Sequence, residues 1–253
     1  MSTAKPIKQK VIIITGASRG IGAGVARHAA SQRYGVCVNY NSAAEAADQV
    51  VQDIVSGGGQ AIAVQADISD EDQVTRLFDE CFSTFGRLDA LVNNAGISDA
   101  RQAFLDTDLK RAQDLFATNV FGTFMCSAEA LRRMSTLSGG NGGAIVNVSS
   151  QAGVFGGNQI TTYAATKGAI DAFTKGLARE AAAHGVRVNA VRPGVIDTGQ
   201  FSELSPDQRA HLVAGIPLGR MGTASDVAEA ILWLASTQAS YVTGTIVDVH
   251  GAR

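Results

Sequence analysis

The chain has 253 residues, 45 % of them apolar and 17 % charged, with a net charge of −2. That length holds one large α/β domain or two small ones with apolar residues enough for a core, and a pI near 6.1 gives no electrostatic footprint for nucleic acid. The 3 cysteines (Cys37, Cys81, Cys126) and 4 histidines lack pairing or ligand spacing, so no disulfide framework and no metal site is expected, and buried thiols in a reducing cytosol place the protein in the cytoplasm.

Residues 1–9 are polar and read as a loose tail. The apolar run that follows is too short for a signal peptide, and no stretch approaches a membrane span. Residues 11–15 form a continuous apolar run, as expected of a strand buried on both faces. It leads directly into Gly16-Ala17-Ser18-Arg19-Gly20-Ile21-Gly22, and a helical pattern continues through Val25, Ala26, Ala29 and Ala30. Strand, glycine turn, helix is a context for a dinucleotide: glycines let the backbone approach a pyrophosphate, and the helix N-terminus offers amides. A glycine-rich turn without a ligand fits the same letters.

The alternation then repeats. Strands are expected at 34–40, 61–65, 88–92, 144–148, 186–191 and 245–249. Between them lie helices at 43–56, 70–85 (capped by Ser69 or Asp70), 108–137, 160–183 and 225–236. This order predicts a doubly wound parallel sheet of about seven strands, a single-domain α/β Rossmann fold over 1–253 with helices on both faces. Ligands in such folds sit at the carboxyl ends of the strands. There the sequence places Asp67, Asn93-Asn94-Ala95-Gly96, Ser149-Ser150 and Pro193-Gly194.

In the 160–183 helix, Tyr163 and Lys167 stand four residues apart and share a face. A free tyrosine titrates near 10 and exchanges protons poorly at neutral pH; an ammonium beside it favours the phenolate. Such a pair suits general acid–base work on a carbonyl or alcohol, and by itself also fits a solvated helix face. The cofactor can be read from the second strand's end. NAD sites often carry an acidic residue about 20 positions past the glycine turn, on the ribose 2′-hydroxyl. Val38-Asn39-Tyr40-Asn41-Ser42 holds no carboxylate. Arg19 could fork onto a 2′-phosphate, with Asn39, Asn41 and Ser42 adding neutral donors; or it points to solvent or pairs with a surface acid. NADP(H) is therefore expected in preference to NAD(H), with NAD(H) still possible.

Taken together, Thr15 to Gly22, Asn93 to Gly96, Asn119, Ser150, Tyr163-x-x-x-Lys167 and Pro193-Gly194 resemble the short-chain dehydrogenase/reductase family over essentially the whole chain. The likeness extends to its 3-oxoacyl-carrier-protein reductase-like and glucose-dehydrogenase-like members. Ser150 precedes Tyr163 by the family's usual interval, and Ser149 looks like its structural neighbour. The resemblance implies an NAD(P)-dependent oxidoreductase acting on a small ketone, aldehyde or secondary alcohol, homotetrameric, with no nucleic-acid or membrane partner. Tyr163 would pass the proton and Ser150 would orient the substrate oxygen. Lys167 would favour the phenolate and hold the nicotinamide ribose, and Asn119 would hold a water. Gly16, Ser18, Gly20, Ile21, Gly22 and Tyr40 would line the dinucleotide. Asp67 and Ile68 would meet the adenine, and Asn94, Ala95 and Gly96 would line the cleft. Pro193, Gly194, Ile196 and Thr198 would cover the nicotinamide. Residues 199–222, with Phe201, Ser202, Leu204 and Leu212, stand where the family places a substrate lid. Two other functions fit less well. A 3-oxoacyl-carrier-protein reductase would want a basic dock where Asn141 and His184 stand, although Arg132 and Arg133 lie near. A non-catalytic dinucleotide sensor would be expected to lack one of Ser150, Tyr163 and Lys167, and all are present.

Overall fold

The computed structural model describes residues 9–98, 101–199 and 204–253. Most of the expected tail, and Phe201 and Ser202 of the expected lid, lie outside them.

The first strand, β1 (Val11–Ile14), shows why the sheet is layered. Side chains alternate across a strand. Ile12 and Ile14 join one core with Val36, Val25 and Leu232, while Val11 and Ile13 join the other with Phe78, Leu77 and Met134. Both faces are dry, so the strand reads as unbroken apolar sequence. Next come α1 (Gly20–Ser31), β2 (Gly35–Tyr40), α2 (Ala44–Ser56), β3 (Gln60–Gln65), α3 (Glu71–Phe85) and β4 (Ala90–Asn93). Asp70 caps α3 by accepting from Gln73 N, and Gly86 ends it in a left-handed conformation at φ 74°. The chain continues through α4 (Leu109–Phe116), α5 (Thr123–Met134), β5 (Gly143–Val148), α6 (Ala152–Phe155), α7 (Thr161–Ala181) and β6 (Val186–Pro193). It closes with β7 (Ile196–Asp197), α8 (Pro206–Ala214), β8 (Gly222–Thr223), α9 (Ala224–Ala235) and β9 (Ile246–Val249).

Seven strands form one parallel sheet in the order β3-β2-β1-β4-β5-β6-β9, and β7 pairs with β8 in a small second sheet. The register sets Ile12 against Val36 on one side and Ala90 on the other. The strand order reverses beside β1, between β1 and β4, where doubly wound sheets open a crevice at their carboxyl ends.

One expectation differs. The helix expected at 108–137 is not continuous: between α4 and α5 the chain winds as a π-helix over Ala117–Gly122. Buried Leu115 and Val120 lie five residues apart, a spacing that α-winding puts on different faces and π-winding brings together. Within 199–222, α8 starts on a capping box, Ser205 with Gln208, and Pro206 stands at its first position. That Ser-Pro-x-Gln pattern was the readable signal for it.

Candidate active site

The glycine turn is stapled to the end of β4. Thr15 Oγ1 accepts from the backbone of Asn94 and Ala95, each at 3.0 Å. The Asn94 side chain donates back to the carbonyls of Thr15 and Gly16 at 2.9 and 3.0 Å. Gly16 and Gly20 have φ of 61° and 59°, and a Cβ on Gly22 would stand 2.5 Å from Asn94 Nδ2, so glycine is required for this closeness. The first turn of α1 has no side-chain cap and no acidic residue. Its open amides and positive end face a cavity of about 860 Å³ lined by Ser18, Arg19, Tyr40, Asn41, Ser42 and Asp67, among others. Those donors, bare of side chains, fit a pyrophosphate.

Around this cavity the expected residues divide. Arg19 is exposed and, among the described residues, its guanidinium bonds to no other group. Gly16, Gly20, Ile21, Ile68, Ala95 and Gly96 line the same space. Gly22 packs behind the turn against Asn94. Asn39 lines this cavity too, but as a spent donor, 1 % exposed and engaged. Its Oδ1 accepts from Gly16 N at 3.1 Å, and its Nδ2 donates to Ala66 O at 3.0 Å and Val64 O at 3.3 Å. It shapes the turn from below. Asn41 donates to Asp67 Oδ2 at 3.2 Å, and Asp67 Oδ1 accepts from Ser69 N and Oγ.

A second cavity of about 240 Å³ adjoins the first, sharing Ile21, Asn94, Gly96 and Thr198 with it. Ser150 from the end of β5 and Tyr163 and Lys167 from α7 meet here, with Pro193, Gly194 and Ile196 opposite. Helical spacing puts Tyr163 and Lys167 on one face, and Lys167 Nζ stands 5.6 Å from the Tyr163 ring centre. The lysine is 5 % exposed, and Nζ donates to Val148 O at 2.8 Å. Ser150 Oγ accepts from Ala152 N at 3.2 Å, which leaves its proton for another acceptor. Ser149 turns away: its hydroxyl donates to Lys167 O at 3.2 Å.

Asn119 lies in the π-helical stretch, 1 % exposed. Its Oδ1 accepts from Ile97 N at 2.8 Å, and its Nδ2 donates to Ile97 O at 2.9 Å and Thr166 Oγ1 at 3.1 Å. One amide thus pins the loop after β4 to α7. A Cβ on Gly96 would stand 3.2 Å from Asn119 Oδ1 and 3.7 Å from Lys167 Nζ, so both atoms face the same small gap.

Residues 16–251 match the family model described as enoyl-(acyl carrier protein) reductase. The chain belongs to the short-chain dehydrogenase/reductase family. It is 45 % identical to the uncharacterized oxidoreductase YgfF of Escherichia coli (strain K12), over 96 % of this chain and 99 % of that one. It is 40 % identical to cis-4-hydroxycyclohexanecarboxylate dehydrogenase of Sinomonas cyclohexanicum, over 96 % of each. It is 38 % identical to the 3-oxoacyl-[acyl-carrier-protein] reductase FabG of Staphylococcus aureus (strain Mu50), over 96 % and 97 %. As a short-chain dehydrogenase/reductase it is an NAD(P)-dependent enzyme acting on a small molecule. Among the described residues no cluster of His, Cys, Asp or Glu could hold a metal ion, and no helix is long and apolar enough to cross a membrane.

Proposed function

We propose that this short-chain dehydrogenase/reductase interconverts a ketone or aldehyde and its alcohol with NADP(H), using Tyr163 as the acid and base. The observation that carries this is the meeting of Ser150, Tyr163 and Lys167 in one cavity that opens into the glycine-turn cavity. The nicotinamide, when bound, supplies or accepts the hydride at the carbonyl carbon. In reduction, Ser150 Oγ–H donates to the substrate oxygen and orients it, and Tyr163 gives that oxygen its phenolic proton. The Lys167 ammonium, fixed by Val148 O, stands 5.6 Å from the centre of the ring that gives up the proton. Asn119 Oδ1 retains one lone pair toward Lys167, the place for a water that returns the proton from solvent. In oxidation the steps reverse. Pro193, Gly194, Ile196 and Thr198 bound the nicotinamide end, and 199–222, with α8, is the lid. For the ribose end, the free guanidinium of Arg19 and the missing carboxylate after β2 favour NADP(H); Asn41 and Ser42 complete that edge.

Tyr163→Phe keeps the ring and removes the proton. Turnover is expected to fall about a hundredfold or more, the scale of general acid–base catalysis, with cofactor affinity held. Near wild-type turnover by the purified variant, on any ketone the parent reduces, rules out the assignment.

Reduction of a 3-oxoacyl group on an acyl carrier is a second reading, favoured by the name of the Staphylococcus aureus relative. The basic surface it needs is weak. Arg132 and Arg133 both pair with Glu129, and Arg133 also with Asp79. His184 Nδ1 is taken by Ser135 Oγ at 2.7 Å. A strong preference for carrier-linked over free 3-oxo esters, lost at high salt, is the result that would restore it.

A further inference from the structure

Helix α7 presents Tyr163, Lys167 and Asp171 at steps of four residues, within one broad face. The first two meet Ser150 in the smaller cavity. Asp171 is 8 % exposed and meets Arg192 of β6, the residue before Pro193. Arg192 Nε donates to Asp171 Oδ2 at 2.9 Å, and Nη2 stands 2.9 Å from the same oxygen. On its other side Arg192 Nη1 lies 3.5 Å from Asp248 Oδ1, and Asp248 is its partner across the β6–β9 register. One guanidinium thus joins the helix of the tyrosine to two neighbouring strands of the sheet.

Directly beyond Arg192 the strand becomes the cavity wall. Pro193 and Gly194 line the space that holds Ser150 and Tyr163. Pro193 O accepts from Gln151 N at 3.2 Å, and Gly194 N donates to Val249 O at 3.0 Å. The wall is therefore tied to the residue after Ser150 and to β9 by its backbone, and to α7 through Arg192. As a source of stability the ion pair is poorly arranged. Both close guanidinium contacts go to Oδ2, and Asp171 Oδ1 is buried with no partner. Burying charge costs desolvation that apolar packing would avoid, and an orphaned acceptor adds to that cost. What a short, charge-assisted contact to a planar guanidinium does supply is a fixed distance.

We infer that Arg192 is a positioning residue for hydride transfer. By holding Asp171 it fixes the gap between the Tyr163–Lys167 face of α7 and the Pro193–Gly194 wall, the gap that the carbonyl and the nicotinamide must share. This rests on the reaction proposed above. Arg192 lines neither cavity, so it acts through the residues on either side and not on a reacting atom. A displacement of about 1 Å between reacting groups can lower a rate about a hundredfold. The glycine turn and the first turn of α1, which take the phosphates, face the larger cavity, so cofactor affinity is left largely unchanged.

The test is single-turnover oxidation of NADPH in stopped flow, with enzyme in excess and a saturating carbonyl. The carbonyl is whichever of cyclohexanone, ethyl acetoacetate and benzaldehyde wild type reduces fastest. The first-order rate constant belongs to folded enzyme, whereas unfolded protein lowers only the amplitude. Arg192→Met and Asp171→Asn are each expected to lower the rate constant about tenfold or more, with the NADPH Kd changed less than about threefold. Arg192→Lys, which keeps the charge and a single bond, should recover part of the loss. The double variant should be no slower than Arg192→Met, because two members of one contact are not additive. Asp171→Asn serves alone if Arg192→Met does not fold. Rate constants within about threefold of wild type, or an equally large loss of NADPH affinity, overturn the inference and leave the carbonyl reductase standing. Reduction of none of the three carbonyls by wild type that binds NADPH overturns both.

Discussion

Replacing Arg19 by alanine isolates the cofactor question, because it removes a guanidinium and little else. The residue has φ of −154° and ψ of 174°, an extended conformation that alanine adopts without strain. It makes no side-chain bond among the described residues, so no internal contact is lost. On the NADPH side, a charge-assisted hydrogen-bonded contact contributes roughly 1.5–3 kcal/mol. Arg19 is exposed, and solvent screens it, so the lower part of that range applies. At 1.4 kcal/mol per decade, a loss of about 1.5–2 kcal/mol raises the NADPH Kd about 10- to 30-fold. NADH carries no 2′-phosphate, and its Kd should move less than about threefold. Titrating both reduced cofactors against wild type and Arg19→Ala by nicotinamide fluorescence measures this. Repeating the NADPH titration at high salt should shrink the difference, since exposed charge pairs are screened. Tighter NADH than NADPH binding by wild type, or equal losses in the variant, refutes the reasoning.

Three further outcomes follow from the packing. Gly22→Ala puts a methyl 2.5 Å from Asn94 Nδ2 and 2.6 Å from Gly16 O, so it should cost roughly 1–3 kcal/mol and weaken both cofactors alike, read by Tm and the same titration. Cys126 is fully buried, and burial pushes its thiol up to about 12; with Cys37 and Cys81 also buried, native protein at pH 8 should show no rapidly reactive thiol among these three, and denatured protein all three, by disulfide-reagent titration. Asp226, bonded to Arg220 and to Thr223 at the start of α9, is held well below the usual carboxylate range. Its depressed folded value stabilises above the unfolded value of about 3.9, and that contribution is lost as pH falls further. Tm should therefore drop below pH 4, and less steeply in Asp226→Asn; parallel pH profiles would show that Asp226 is not the cause.

Much of this was legible because burial and motif spacing write themselves into sequence. β1 and β4 are dry on both faces and read as unbroken apolar runs. Tyr163 and Lys167 needed only helical spacing. What was hidden depended on partners elsewhere in the chain. Asn39 looks like a free donor at a strand end, and only the approach of Gly16 and Ala66 shows it spent. The contact of Asp171 with Arg192 has no sequence signature, since α7 must first pack against β6. β7 and β8, two residues each, are below any periodicity. α8 lies exposed with no buried residue, so its hydrophobic pattern was faint while its cap was plain.

The π-wound stretch Ala117–Gly122 also bears on how the chain can vary. Each α-helical residue turns the axis by about 100°. The π-turn takes up one more residue than an α-turn for nearly the same rotation. Deleting Ala117 or Thr118, with α-winding restored, would therefore keep α4 and α5 in their relative orientation, with Leu115 and Val120 then four apart on one face. What the extra residue sets is the local backbone path that presents Asn119 to Ile97 and Thr166. Among descendants of this sequence the segment can therefore shorten by one residue more easily than it can change at Asn119, Val120 or Gly122, where a Cβ on the glycine would stand 2.7 Å from Ile68 Cδ1.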